Sequence, residues 1–314
     1  MRHPSDIPGG PLGVAKWVVG GTVRVPRRVV AAVRRRTSER LRFWRAGAIA
    51  RRDARHWRNL VRRSAAGRFR IETLLGQVST ADVAVIVCLW NRPSRIDAIL
   101  DQLDRQSTGR GIRLMLWNNA PADDLHYRDR IAAFTAGGSL RSVEYVASQD
   151  NVGGLARFFL ARRAAATGMA SREFIMLDDD QDISSSFVDD LLAAGGPARI
   201  AGVWAWRYLG RSHWDRVPVE AGDPADYVGT GGCVCDVEIV ADASFFTELP
   251  RRYSFLEDQW MCARARSRGW TLTKVDTPVE FVLHETNQFP ALADLKNEFR
   301  EYLDTGTRGQ QTAR

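Results

Sequence analysis

Between residues 80 and 200 the chain alternates two patterns of apolar positions. Residues 82–90, 112–117, 142–146 and 174–177 are short, nearly unbroken apolar runs, which predict strands buried on both faces. Ile96, Ile99, Leu100 and Leu103 instead recur at helical spacing and predict a helix ending near Gln106. Helices are also expected over 155–167 and 184–194. Alternation of this kind predicts a parallel α/β sheet. Ligands in such sheets sit at the carboxyl ends of the strands. Each run here stops at polar or small residues: Asn91-Arg92-Pro93-Ser94, Asn118-Asn119-Ala120-Pro121, Asn151-Val152-Gly153-Gly154 and Asp178-Asp179-Asp180, with Asp182 beyond.

From Trp204 onward the regularity breaks. Trp204, Trp206, Tyr208, Trp214 and Tyr227 are interleaved with Arg207, Arg211, His213 and Arg216. Such rings suit a wall on which a ligand stacks, and for Trp204 and Trp206 a place in the core is equally expected. Gly229-Thr230-Gly231-Gly232 precedes an apolar run over 233–240 and marks a close approach of backbone. Glu257-Asp258 opens an expected helix that stops at Gly269. An apolar stretch over 278–283 leads to His284, and an amphipathic helix is expected over 292–303.

Before residue 76 the pattern is different again. Residues 1–13, rich in Pro and Gly, read as disordered. Phe43, Ala46, Ala50, Ala54, Trp57 and Val61 then form an apolar stripe on an arginine-rich helix. The net charge of +8 hides this asymmetry: residues 1–70 hold 19 Lys and Arg against three acids, leaving −8 for the remainder. A basic amphipathic helix with Trp and Phe on its apolar side fits an anionic membrane surface. Packing on the body or on a second copy in a homo-oligomer competes closely. Nucleic acid is not expected, since no recognition module accompanies the arm. The organisation expected is therefore a basic arm over 1–75, a catalytic domain over 76–290, and a terminal helix with a loose tail over 291–314.

The 314 residues, 45% of them hydrophobic, suffice for one large core with an appendage. No run approaches the ~20 apolar residues of a membrane span, and no secretory signal is read. Cys88, Cys233, Cys235 and Cys262 lack zinc-site spacing. They fit small core residues in a reducing compartment. A cytoplasmic protein, peripheral on the inner face of the cell membrane, is expected.

Three consecutive carboxylates after a buried strand repel one another unless protonated or neutralised. Mg²⁺ or Mn²⁺ prefers hard oxygen ligands and binds through one or two carboxylates plus substrate phosphate. A metal–diphosphate is the natural occupant; an acidic N-cap explains only one or two of the acids.

The succession Asn91-Arg92-Pro93, Asn118-Asn119, Asn151-Val152-Gly153-Gly154 and Leu177-Asp178-Asp179-Asp180 resembles the GT-A-fold glycosyltransferases of family 2. Its non-processive members, of the galactofuranosyl- or rhamnosyl-transferase kind, are the nearest in pattern. The resemblance covers about 82–285. It implies a Rossmann-like, mostly parallel α/β sheet binding a nucleotide-diphosphate sugar. Asp180 would ligate Mn²⁺ or Mg²⁺, with Asp178 on metal or ribose and Asp179 nearby; His284 would be a third ligand. Asn91, Arg92, Asn119, Asn151, Gly153 and Gly154 would contact base or diphosphate, and Gly231 and Gly232 the donor sugar. Asn118 stands where the family usually has aspartate. Asp258 would be the general base, supported by Glu257, with Trp260 and Trp206 as acceptor platforms. The implied reaction is inverting transfer of one sugar to a glycan or lipid-linked acceptor in cell-envelope or polysaccharide synthesis. The Gln-x-x-Arg-Trp signature of processive synthases is absent. Nucleotidyl transfer to sugar phosphates, or a non-catalytic adaptor driven by the arm, are the competing readings.

Overall fold

The computed structural model describes residues 27–282 and 292–311, with side chains over 46–282 and 292–305. The chain divides into two compact units, Met1–Asp53 and Ala54–Arg314. Helix α1 (Arg27–Ala65) runs through the boundary. Its last turns belong to the second unit, where Val61 and Ala65 are buried and Trp57 and Leu60 pack beside them. That part of the apolar stripe is covered by the protein's own core.

The second unit is built on an eight-stranded sheet. In chain order the strands are β1 (Glu72–Gly76), β2 (Val83–Leu89), β3 (Ile112–Asn118), β4 (Leu140–Ala147), β5 (Glu173–Asp178), β6 (Gln181–Ile183), β7 (Arg199–Gly202), β8 (Ala205–Tyr208), β9 (Arg216–Pro218), β10 (Tyr227–Val228), β11 (Cys233–Asp236), β12 (Thr271–Lys274) and β13 (Val279–Phe281). The large sheet runs β1-β4-β3-β2-β5-β11-β7-β12, while β10-β8-β9 and β13-β6 form small sheets. Strands β4, β3, β2 and β5 are parallel neighbours. Strand β1 joins antiparallel at one edge, and β11 lies antiparallel between β5 and β7.

The unbroken apolar runs bury both faces, as period-two geometry requires. Ala84, Ile86, Met115, Phe174 and Met176 face a core shared with Phe158 and Phe159 of α4 (Leu155–Thr167). Val83, Val85, Leu114, Leu116, Ile175 and Leu177 face the other core. There they meet α2 (Ile96–Asp104), α3 (Asp124–Ala133) and α5 (Phe187–Ala194). Each such side chain contributes roughly 1.5–3 kcal/mol by leaving water. The remaining helices are α6 (Ser244–Thr247), α7 (Glu257–Ser267) and α8 (Leu292–Gln311).

The structure departs from the expected elements in three places. Helix α5 starts at Phe187, because residues 181–183 pair with β13 instead. Helix α3 buries only Tyr127 and Ile131, too thin a stripe to stand out. Strands β1 and β11 owe their places to long-range pairing. Among the described residues no helix is long and apolar enough to cross a membrane. All four cysteines are buried and unbridged.

Candidate functional site

Register determines where the site lies. Leu89 pairs with Asn118, and Cys88 with Asp178, so β2, β3 and β5 end level. The chain turns away from each at that edge, opening a cavity of about 370 Å³. Its lining includes Trp90, Arg92, Asn119, Asn151, Gly153, Gly154, Arg157, Asp178, Asp179, Asp180, Phe255 and Lys296.

Arg92 gathers two of the acids. Its Nη1 donates to Asp179 Oδ1 at 2.6 Å, and its Nη2 lies 3.0 Å from Asp180 Oδ2. Trp90 N donates to Asp179 Oδ2 at 3.0 Å. Burial pushes the Asp179 carboxyl up to about 7 against the pull of Arg92. Burial together with the charge of Asp178 lifts Asp180 to about 6. Among the described residues Asp180 Oδ1 is buried without a hydrogen-bond partner.

Asp178 is held by Arg157, which donates to it through Nη2. The Nη1 of the same guanidinium reaches Glu257 Oε1 and Thr230 Oγ1, each at 2.9 Å. Arg157 thus joins the acids of the sheet edge to the start of α7. Burial raises the Glu257 carboxyl to about 7 despite this arginine. The sequence reading passed over Arg157; its signal was a single charge within Leu155-Ala156-Arg157-Phe158-Phe159. Lys296 and Phe255 were missed as well, and Tyr227 was read only as one ring of the aromatic stretch.

The two glycine pairs admit side chains of this chain. A Cβ on Gly154 would fall 1.6 Å from Glu257 Oε1, and one on Gly153 would fall 2.6 Å from Phe255. One on Gly231 would lie 2.4 Å from Asp178 Oδ2, so the glycine keeps that carboxylate accessible. Gly232 has φ +79, a left-handed turn into β11. Asn119 and Asn151 brace the same loop, their Oδ1 atoms accepting from Val152 N at 3.0 Å and Gly153 N at 2.8 Å.

Asp258 sits at the first turn of α7, away from the cavity lining. Its Oδ2 accepts from Tyr227 OH, and its Oδ1 from Gln259 N at 2.7 Å. Tyr227 stacks on Trp206 with ring centroids 5.3 Å apart, and Arg216 lies 4.2 Å over the Trp206 ring. Trp206 is therefore part of an aromatic cluster next to Asp258.

Three expected positions differ. Trp260 is only 6% exposed and donates from Nε1 to Phe245 O at 2.6 Å. A sugar platform needs an exposed ring face, and this one is in the core. Asn118 is fully buried; it donates to Tyr145 OH and accepts from Ala120 N, outside the lining. Asn91 is exposed at φ 55, forming the turn rather than the wall. His284 lies outside the described residues.

Asp178 and Asp180 are the residues that could hold a divalent cation, and the unpartnered oxygen of Asp180 fits one. No group of three or more His, Cys, Asp or Glu among the described residues forms a ready metal cage. Two carboxylates completed by substrate phosphate is a usual magnesium arrangement.

No protein-family profile matches the chain, and no curated protein matches it. Among solved structures it is similar to S. aureus TarS 1–349, with 15% identity over 62% of this chain and 57% of that one and a TM-score of 0.39. It is similar also to TarS 1–349 in complex with UDP-GlcNAc, with 14% identity over 66% and 62% and a TM-score of 0.41. For the bifunctional glycosyltransferase WbbM without ligand the identity is 16% over 64% and 40%, with a TM-score of 0.38. The chain spans less than two thirds of each of these chains.

Proposed function

We propose that this chain is a metal-dependent, inverting glycosyltransferase of the GT-A kind. It moves one sugar from a nucleotide-diphosphate sugar to a hydroxyl of a glycan or lipid-linked acceptor. The observation that carries this reading is the cavity at the level ends of β2, β3 and β5, with a buried oxygen of Asp180 left unpartnered among the described residues. Its lining sets Arg92, Arg157 and Lys296 against Asp178, Asp179 and Asp180. The formal charges balance, so a diphosphate entering alone would leave the site negative. A divalent cation entering with it restores neutrality.

Bound at Asp178 and Asp180, Mn²⁺ or Mg²⁺ would neutralise the charge that builds on the departing diphosphate. Arg92 holds Asp179 and Asp180 in place for this. Asp258 takes the proton of the acceptor hydroxyl as that oxygen attacks the anomeric carbon. The Tyr227 hydroxyl and the Gln259 amide fix the orientation of its carboxylate. Glu257 is kept beside the donor side by Arg157. The arginine-rich segment before Ala54 gives the enzyme a means of meeting an anionic membrane surface, where a lipid-linked acceptor would be reached.

The test is titration calorimetry with a panel of nucleoside diphosphates, with Mn²⁺ and with chelator, for the wild type and Asp180→Asn. Metal-dependent binding of one diphosphate, lost in the variant, is expected. Absence of binding to any of them, with folded protein and metal present, would overturn the reading.

A further inference from the structure

One wall of the cavity comes from no strand end. Leu292 and Lys296, in the first turns of α8, line it together with the three aspartates. The helix is anchored beyond Lys296. Asn297 Oδ1 accepts from His213 N at 2.7 Å and from Ser212 Oγ at 2.9 Å. Tyr253 OH donates to Glu298 Oε1 at 2.6 Å. Phe299 is fully buried and stacks on Tyr253 at 4.3 Å. Arg300 donates to the carbonyls of Gly210 and Arg211. Lys296 cannot swing away with its helix unless these contacts break.

The other two cations of the lining are committed to acids, Arg92 to Asp179 and Asp180, and Arg157 to Asp178 and Glu257. The half-buried Lys296 forms no ion pair with any described residue; its ammonium lies 5.9 Å from the centroid of the Trp214 ring. Among the described residues its ammonium is therefore the cation of the lining not already committed to a carboxylate, and it is available to an anion arriving in the cavity. The positive end of the α8 dipole lies on the same wall and acts in the same sense. A compact ammonium with three rotatable donors suits phosphate oxygens.

We infer that Lys296, presented by the start of α8, binds the phosphates of a diphosphate ligand, so that the C-terminal helix completes the donor site. The identity of the ligand as a nucleoside diphosphate rests on the proposed function; the anion site does not.

The experiment is calorimetry of the full chain with inorganic diphosphate and with the nucleoside diphosphate panel, Mg²⁺ present. Wild type is compared with Lys296→Met, Lys296→Gln and Lys296→Arg, and thermal melting is recorded for each. Removing the charge is expected to weaken inorganic diphosphate on the order of ten- to hundredfold, and Lys296→Arg to recover most of that. Equal affinity of wild type and a folded, uncharged variant would overturn the inference, as would wild type that does not bind inorganic diphosphate. If wild type binds inorganic diphosphate through Lys296 but no nucleoside diphosphate more tightly, the inference stands and the glycosyltransferase reading fails.

Discussion

The floor of the cavity and the surroundings of Asp258 solve the burial of polar groups in opposite ways. On the floor three acids share two arginines, and among the described residues Asp180 Oδ1 is left without a partner. Around Asp258 most polar groups find partners within the protein, Gln259 Oε1 being an exception. Arg216 Nη1 donates to His213 Nε2 at 2.6 Å, so the imidazole proton belongs on Nδ1. That proton finds Tyr208 OH at 3.1 Å, while Gln259 Nε2, itself a donor, lies 3.2 Å from the same nitrogen. Turning the Gln259 amide over would place its otherwise unpartnered Oε1 there. Among the described residues the floor thus leaves a carboxylate oxygen free for a ligand, whereas Asp258 is held on both its oxygens by the protein. The proposed reaction, with a donor bound through a metal and a base presented to the acceptor, would use that division.

The largest expected effect lies where the two regions share a group. Arg157→Met leaves the buried Glu257 and the half-buried Asp178 without their common cation. Removing one member of a buried ionic cluster costs roughly 3–5 kcal/mol. Urea denaturation should register a loss of that size, with Thr230→Val, which removes only a hydroxyl from the same guanidinium, well below it. Similar losses for the two would mean that Arg157 is not the link between the floor and α7.

His213 supplies the next effect, through pH. Burial, aided by Arg216, Lys296 and Arg300 and opposed by Asp258, lowers its imidazole from 6.5 to about 3. The native state keeps it neutral while the unfolded chain protonates it. Stability is therefore complete above pH 6.5 and declines as pH falls toward 3, by about 1.4 kcal/mol per unit at most from this group. His213→Gln should remove that part of the acid slope. Carboxylates elsewhere titrate in both proteins and cancel in the difference. An unchanged slope would show that the histidine is not held neutral.

The same contrast explains what could be read in advance. The floor was legible because its parts are local: Val83–Leu89, Ile112–Asn118 and Glu173–Asp178 are apolar runs, and each polar turn follows its own strand. The Asp258 side is assembled from β8, β10, the loop at 209–215, α7 and α8, with partners separated by up to 90 residues in sequence, as for Arg300 and Gly210. No periodicity encodes such pairings. Asn118 pointed inward, against the expectation, because strand pairing put it beside buried Tyr145. Arg157 and Lys296 were missed for a related reason: a charge acquires meaning only from acids or phosphates brought to it by the fold.

On the Asp258 side a smaller effect should separate chemistry from binding. Tyr227→Phe deletes the hydroxyl that donates to Asp258 Oδ2, leaving Gln259 N as the remaining anchor. A hydrogen bond to a charged group contributes about 2 kcal/mol. A slower kcat with donor KM unchanged is expected in a sugar-transfer assay. Equal loss in donor affinity would place Tyr227 on the floor instead.

Trp260 offers the smallest effect and the cleanest distinction between a ring that binds and a ring that packs. Its indole is almost wholly buried and donates to Phe245 O at 2.6 Å, while Arg264 covers the ring at 5.3 Å. Trp260→Phe keeps an aromatic face but removes the donor, so the Phe245 carbonyl loses its partner. The expected cost is about 1 kcal/mol in unfolding free energy, with acceptor KM unaltered. Trp206→Ala provides the counterpart, since Trp206 is half-buried and stacked on Tyr227; its loss should raise acceptor KM more than it lowers stability. If Trp260→Phe raised acceptor KM while leaving the midpoint of urea unfolding alone, the ring would have to reach the acceptor. The core position described for it would then be wrong.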